Sequence, residues 1–148
     1  MKAVIGKYPV WVGDAREIAS HNQKFDAVLA DVPCTGLGAL RRRPEVRWRR
    51  TVQDLRELTQ LQLEITRSAV GVINSGGIYG YATCSPHFAE TLGQVKMILK
   101  QNPELEQIDV APFLPAKLTG ATRDNSMALW TSVHGTDSMF LALFQKKA

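Results

Sequence analysis

Cysteine occurs at only two positions of the 148-residue chain, and each lies in a short motif with polar or turn-forming neighbours. Cys34 closes the motif Asp31-Val32-Pro33-Cys34, and Cys84 lies between Thr83 and Ser85. A thiolate is a strong nucleophile, and a carboxylate beside it can move a proton or stabilise charge. These two motifs are therefore the first candidates for chemistry.

Apolar segments precede both motifs and have the length of β-strands. Residues 25–30 form one apolar run that turn-forming residues stop, and residues 78–83 form another after two glycines. Residues 8–12 predict a further strand, which ends at Gly13-Asp14. Asp14, Cys34 and Cys84 are therefore each expected just after the end of a strand.

Apolar residues also recur every three or four positions, as they do on one face of a helix. Residues 51–73 predict a long helix with Thr51 as its N-cap, and Asn74 to Gly77 stop it. Residues 89–100 predict a second helix. The runs 127–133 and 139–144 resemble a hairpin joined at Gly135.

This alternation of strands and helices predicts a doubly wound α/β sheet, with the hairpin as an antiparallel edge on a parallel core. Two parallel strands joined by one helical crossover are neighbours, and ligands bind at the carboxyl ends of such strands. Cys34 and Cys84 are therefore expected to face one crevice although fifty positions separate them.

Other readings of the cysteines are weaker. A free cysteine is often a small buried apolar residue, although two at adjacent strand ends make this less natural. A tyrosine-phosphatase loop has five residues between its cysteine and arginine, whereas six separate Cys34 from Arg41. Zinc needs about four ligands, and the singly scattered histidines do not provide a recognised spacing, so no metal is expected.

Composition favours a cytoplasmic protein of one domain, with neither a secretory leader nor an apolar run long enough for a membrane. The net charge of +4 is modest, but its distribution is uneven. Six arginines surround Trp48 in the segment 41–50, namely Arg41, Arg42, Arg43, Arg47, Arg49 and Arg50. Such a segment suits phosphate contacts to RNA, and a solvated charged loop is the alternative.

The stretches DVPCTGLGALRRRPEVRW and GGIYGYATCS together resemble the paired signatures of the Sun/Fmu-type ribosomal RNA cytosine-5 methyltransferases. The similarity extends from Gly13-Asp14-Ala15-Arg16 to Gly135-Thr136-Asp137 and the final strand. One departure is the pair Glu90-Thr91, where the family more often has Glu-Asn. The resemblance implies that residues 1–148 are the C-terminal part of a class I methyltransferase catalytic domain with a Rossmann-like sheet.

The resemblance also implies S-adenosylmethionine as methyl donor and a cytosine of RNA, in particular ribosomal RNA, as acceptor. Carbon 5 of cytosine is a poor nucleophile until a thiolate adds to carbon 6. Cys84 is implied as this nucleophile, Asp31 as the group that contacts nitrogen 3, and Cys34 as the thiol that assists proton loss and enzyme release. DNA cytosine methyltransferases attack with a Pro-Cys cysteine, so the residues alone leave the two roles exchangeable.

Cofactor contacts are implied for Asp14, Asp31 and Pro33, and the weaker alternative for Asp14 is a solvated loop carboxylate or a helix N-cap. The glycine-rich loop after strand 1 and the acidic residue after strand 2 do not precede Tyr8. In the family's strand order, 3-2-1-4-5-7-6, these first two strands lie between the strands that end at Asp14 and Asp31. We therefore expect an incomplete sheet.

An incomplete sheet exposes strand edges, which favours homodimerisation or strand exchange. We also expect the isolated chain to be inactive and to bind the cofactor poorly. The competing hypothesis is an RNA-binding or assembly module without catalysis, because the chain keeps the arginine segment and lacks the cofactor loop.

Overall fold

Six strands form one open sheet in the computed structural model, which describes residues 10–148 except for the Thr119 side chain. They are β1 (Phe25–Asp31), β2 (Ile73–Thr83), β3 (Leu105–Ile108), β4 (Thr122–Arg123), β5 (Ser126–Leu129) and β6 (Met139–Lys146). Their order is β1-β2-β6-β5-β4, and β3 pairs with a different part of β6. The mixed α/β class expected from the sequence is confirmed.

Helices connect these strands. Within the same residues the α-helices are α1 (Val46–Arg49), α2 (Val52–Gly71), α3 (Leu92–Gln101) and α4 (Thr131–His134). Shorter 3-10 helices span Ala15–His21, Leu37–Ala39, Phe88–Glu90, Ala111–Phe113 and Ala116–Ala121. No helix in residues 10–148 is both long enough and apolar enough to cross a bilayer.

β1 and β2 are parallel neighbours joined through α2, as the strand-helix-strand pattern predicts. The register pairs Asp31 at the end of β1 with Ala82 near the end of β2. Both strands therefore end at the same edge of the sheet, and the two cysteine motifs leave it side by side.

The junctions between helices and strands differ from the predicted ones. α2 ends at Gly71, and β2 already begins at Ile73, so residues 74–77 belong to a strand instead of a turn. Phe25 pairs with Ile73 while Ala27 pairs with Ile78, so the extra residues of β2 bulge out there. α3 begins only at Leu92, because the backbone of Thr91 is not helical.

The C-terminal strands pair antiparallel as predicted, with Met127 opposite Leu141. Their connection was predicted wrongly, because β5 ends at Leu129 and residues 131–134 form α4. Gly135 ends α4 in the left-handed conformation. β6 also pairs antiparallel with β2, so β6, β5 and β4 form the antiparallel side of the described sheet next to the parallel pair β1 and β2.

The strand predicted at residues 8–12 is not present where it can be assessed. Residues 8 and 9 lie outside the described residues, and residues 10–12 have no regular secondary structure. Within residues 10–148, no strand pairs with the outer edge of β1, and Leu29 on β1 is 70% exposed. The expected incomplete sheet is therefore visible at β1, whereas dimerisation or strand exchange through this edge stays a prediction.

The core lies between β2, β6 and the helices that cover them. Tyr79 and Tyr81 on β2 and Phe144 on β6 are fully buried, because alternate residues of a strand face the same side. α2 is fixed at its start by the predicted cap, since Thr51 Oγ1 accepts from the Asp54 amide and the Thr51 amide donates to Asp54 Oδ2.

Gly38 joins three segments at the sheet edge that carries the cysteines. Its amide donates to the Cys84 carbonyl at 2.9 Å, and its carbonyl accepts from the Ser138 amide at 3.0 Å. A Cβ atom on Gly38 would collide with the Ser138 carbonyl oxygen and lie 2.6 Å from the Cys84 carbonyl oxygen. The absence of a side chain at Gly38 therefore permits this close approach.

We expect Gly38→Ala to reduce the free energy of unfolding by about 1–3 kcal/mol, because the backbone atoms around the new methyl group must move apart. Urea denaturation monitored by circular dichroism measures this loss. Gly120→Ala is the matched control, because nothing lies within 4 Å of a Cβ atom there. Equal stability of the two variants would contradict the close packing at Gly38.

Candidate active site

The two thiols lie next to each other, as the sequence predicts. Cys34 follows β1 and Cys84 follows β2, and their sulfur atoms are 3.1 Å apart. Both cysteines are free and half-buried. They line a cleft of about 460 Å³ at the carboxyl ends of the strands, together with Asp31, Val32, Pro33, Thr35, Gly36, Ala39, Arg43, Val46 and Arg50.

The hydrogen bond between the sulfurs makes the two thiols unequal. It lowers the pKa of Cys34 to about 6, and the Thr83 hydroxyl and the Gly36 amide also favour the Cys34 thiolate. Burial and the negative charge of Glu90 oppose this shift. The pKa of Cys84 is raised, because Cys84 donates the shared hydrogen and because burial and the nearby charges of Cys34 and Asp31 disfavour a second thiolate. The pair therefore titrates as a unit, in which loss of the first proton is favoured and loss of the second is disfavoured.

A buried polar cluster contacts the backbone on both sides of Cys34. Gln62 Nε2 on α2 donates to the Pro33 carbonyl at 2.9 Å. Glu90 Oε1 accepts from the Thr35 amide at 2.8 Å, and Glu90 Oε2 accepts from the Thr35 hydroxyl at 2.5 Å. Glu90 and Gln62 are fully buried, so these bonds are shielded from water.

The sequence analysis missed Gln62 and left Glu90 without a role. A signal for Gln62 existed, because it lies four residues after Leu58 and three before Ile65, on the apolar face of the predicted helix. A polar residue at such a position needs buried partners. The identity of those partners could not be read from the helix pattern.

The arginine segment borders the cleft, but its members have different contacts. Arg43 and Arg50 line the cleft, and Arg50 Nε donates to the Thr35 carbonyl at 3.2 Å. Arg42 forms an ion pair with Asp137, and the Arg47 guanidinium lies 5.2 Å from the ring centre of Trp48. All six arginines are exposed, including Arg41 and Arg49. The segment therefore presents positive charge beside the thiols.

Asp14 lies apart from the thiols. It is absent from the cleft lining, and it caps the 3-10 helix Ala15–His21 by accepting from the Arg16 amide. Its carboxylate also pairs with the Arg16 side chain, which lowers the pKa of Asp14 to about 2. The structure thus brings Asp31, Pro33, Cys34 and Cys84 together but does not place Asp14 with them.

Several known proteins are similar to this chain in fold and sequence. The structure of NSun6 from Pyrococcus horikoshii with SFG has a TM-score of 0.76 and 25% identity over 92% of this chain and 34% of that one. A probable ribosomal RNA small subunit methyltransferase B of Bacillus subtilis is 29% identical over 90% of this chain and 31% of its own length. A putative methyltransferase of Mycobacterium tuberculosis is 46% identical over 122 residues, which are 82% of this chain and 26% of that protein.

The fold is the Rossmann-like fold of methyltransferases. Residues 4–145 match the family described as 16S rRNA methyltransferase RsmB/F, and the chain belongs to this family. The chain spans about a quarter to a third of the length of the relatives above.

The thiol pair predicts an unusual pH dependence of alkylation. Cys34 should react with iodoacetamide with a half-maximal rate near pH 6. The pH of this half-maximal rate is the inflection of the rate profile. In Cys84→Ala the inflection should rise toward about pH 8.5, the pKa range of an ordinary thiol, because the hydrogen bond between the sulfurs is lost. Mass spectrometry of the alkylated peptides measures both rates. An unchanged inflection in Cys84→Ala would show that Cys84 does not stabilise the Cys34 thiolate.

Proposed function

We propose that this chain is the catalytic part of an enzyme that transfers a methyl group to carbon 5 of a cytosine in ribosomal RNA. The observation that carries the proposal is the 3.1 Å contact between the Cys34 and Cys84 sulfurs, in a cleft that also contains Asp31. Membership of a 16S rRNA methyltransferase family supports the RNA substrate. A cytoplasmic location follows from that substrate.

In the proposed reaction Cys84 attacks carbon 6 of cytosine, which makes carbon 5 nucleophilic. Cys84 must first lose its proton, and the Cys34 thiolate is the acceptor that touches it. Asp31 at the cleft rim contacts nitrogen 3, where charge develops. Cys34 later receives the carbon 5 proton, after its first proton has left to water in the open cleft. Loss of that proton breaks the bond to Cys84 and releases the product.

S-adenosylmethionine supplies the electrophilic methyl group in this proposal. The NSun6 structure contains SFG, an analogue of this cofactor, which supports the assignment. Asp31 and Pro33 line the cleft and suit one side of a cofactor site. Asp14 fits less well, because Arg16 already pairs with its carboxylate. The described residues that suit a cofactor lie on one side only, so we expect the isolated chain to bind S-adenosylmethionine weakly.

The cytosine must leave its base stack before it can be modified, so the same enzyme must also bind the RNA backbone. The exposed arginines beside the cleft support this contact with the RNA backbone, and Arg43 and Arg50 lie in the cleft lining. The same segment supports a second candidate function, an RNA-binding or assembly module without catalysis. RNA binding without methyl transfer would favour the second candidate.

The exposed edge of β1 supports a further part of the proposal. An unpaired strand edge can accept another strand, so we propose homodimerisation or strand exchange of the isolated chain. A monomer at all concentrations in analytical ultracentrifugation would argue against it.

The catalytic roles can be tested in a chimaera in which the 122 aligned residues of this chain replace the matching portion of the mycobacterial relative. Cys84→Ala should lower methyl transfer to a 16S rRNA transcript more than about 1,000-fold, because the nucleophile is lost. Cys34→Ala should form the protein–RNA adduct more slowly, because the base for Cys84 is lost, but should accumulate it in denaturant-resistant form, because release is blocked. Radiolabelled S-adenosylmethionine and denaturing gels provide the readouts.

Ser132→Ala is the control for these two variants, since Ser132 is exposed and does not line the cleft. Normal methyl transfer by Cys84→Ala would refute the assigned nucleophile. An adduct in Cys84→Ala but not in Cys34→Ala would show that the two thiols have exchanged roles.

Arginine variants test the RNA contact. Arg43→Ala should weaken RNA binding and reduce the slope of log affinity against log salt by about 0.7, the value for one phosphate contact to a single strand. Arg42→Ala should change the slope less, because Asp137 already holds this guanidinium. Arg67→Ala, an exposed arginine on α2, is the control. Fluorescence anisotropy at several salt concentrations measures the slopes, and equal slopes for Arg43→Ala and Arg67→Ala would contradict the contact.

A further inference from the structure

The polar cluster beside Cys34 has no access to water. Gln62, Tyr81 and Glu90 are fully buried, and Gln94 is 2% exposed. Burial of a carboxylate and two amides is unfavourable unless each polar atom finds a partner. An apolar core of the same volume would avoid this cost, so the cluster calls for an explanation other than stability.

Gln62 is the centre of this cluster and uses its whole hydrogen-bonding capacity. Its Nε2 donates to the Pro33 carbonyl at 2.9 Å and to Glu90 Oε1 at 3.1 Å. Its Oε1 accepts from Gln94 Nε2 at 2.8 Å and from the Tyr81 hydroxyl at 3.0 Å. An amide with two donors and two acceptor sites has no further bond to make, so its orientation is fixed.

Glu90 connects the two loops that carry the sulfurs. It lies six residues after Cys84, and its carboxylate accepts from the amide and the hydroxyl of Thr35, the residue after Cys34. Its carbonyl also lies 2.9 Å from the Tyr81 hydroxyl on β2. The residues before and after Cys34 are thus both held by groups anchored elsewhere in the core.

We infer that Gln62 and Glu90 are positioning residues, which hold the Cys34 loop so that its sulfur stays within hydrogen-bonding distance of Cys84. The inference rests on the proposed function for its biological meaning. Two effects of Glu90 on Cys34 have opposite signs. The negative charge of Glu90 disfavours the Cys34 thiolate, whereas the hydrogen bonds to Thr35 preserve the contact that favours the thiolate.

Because these two effects on the Cys34 pKa have opposite signs, variants of Glu90 can distinguish the effect of its hydrogen bonds from the effect of its charge. Glu90→Gln keeps an acceptor for the Thr35 amide and removes the charge, while the Thr35 hydroxyl can turn toward the Ser85 hydroxyl 3.4 Å away. We expect the Cys34 inflection in iodoacetamide alkylation to stay near pH 6 or to fall. Glu90→Ala and Gln62→Leu remove the bonds to the loop, and we expect the inflection to rise toward about 8.5, with about 30-fold slower alkylation at pH 7.

The measurement uses the 148-residue chain, with circular dichroism to confirm folding of every variant. Gln53→Leu is the control for Gln62→Leu, because Gln53 is an exposed glutamine on the same helix that contacts Glu57. If Glu90→Ala does not fold, Thr35→Val takes its place, because it removes only the hydroxyl bond and keeps the shape. Thr35→Val should then raise the inflection in the same direction.

A folded Glu90→Ala or Thr35→Val variant with an unchanged inflection would overturn the inference. Equal rises in Glu90→Gln and Glu90→Ala would also overturn it, because Glu90→Gln keeps the acceptor for the Thr35 amide and loss of the charge can only lower the pKa of Cys34. In the chimaera, Glu90→Ala should lower kcat and leave KM for RNA unchanged. Alkylation does not require methyl transfer, so the positioning inference and the proposed function can fail independently.

Discussion

The hydrogen bond between the Cys34 and Cys84 sulfurs is the contact on which the arrangement of the cleft depends. It exists because β1 and β2 are parallel neighbours that end at the same edge of the sheet. Thiols are ordinarily protonated at neutral pH, and the hydrogen bond from the second thiol is the largest of the contacts that make Cys34 the more acidic sulfur. A small separation of the two loops would remove this asymmetry, since hydrogen bonds weaken steeply with distance and angle.

Several features of the structure keep the two loops together. Gly38 binds the Cys84 carbonyl directly, at a distance that any side chain on Gly38 would prevent. Glu90 and Gln62 bind the backbone around Cys34 from the core. Arg50 binds the Thr35 carbonyl from the exposed arginine segment, so the residues proposed to contact RNA are connected to the thiol loop. The cleft is therefore held both from the core and from the surface.

Regular patterns in the sequence predicted the parts of the fold that depend on local preferences. The strand before Cys34, the long helix with its Thr51 cap and the antiparallel pairing of the last strands agree with the structure. Junctions were less predictable. Residues 74–77 contain two glycines and read as a turn, yet they form a bulge within β2 between Ile73 and Ile78, which pair with Phe25 and Ala27 of β1. The backbone hydrogen bonds of a neighbouring strand outweighed local turn preference there.

The sequence by itself determined which chemical groups form the site and that they lie close together, because residues that follow two parallel neighbouring strands lie at the same edge of the sheet. It determined neither the distance between the sulfurs nor the partners of the charged groups. Only the tertiary structure showed that Arg42 pairs with Asp137 and that Asp14 pairs with Arg16 away from the cleft. It alone showed the role of Glu90 beside Thr35. The contacts of Arg42 with Asp137 and of Glu90 with Thr35 join residues far apart in the chain, and they depend on side-chain packing that periodicity and local propensity do not encode.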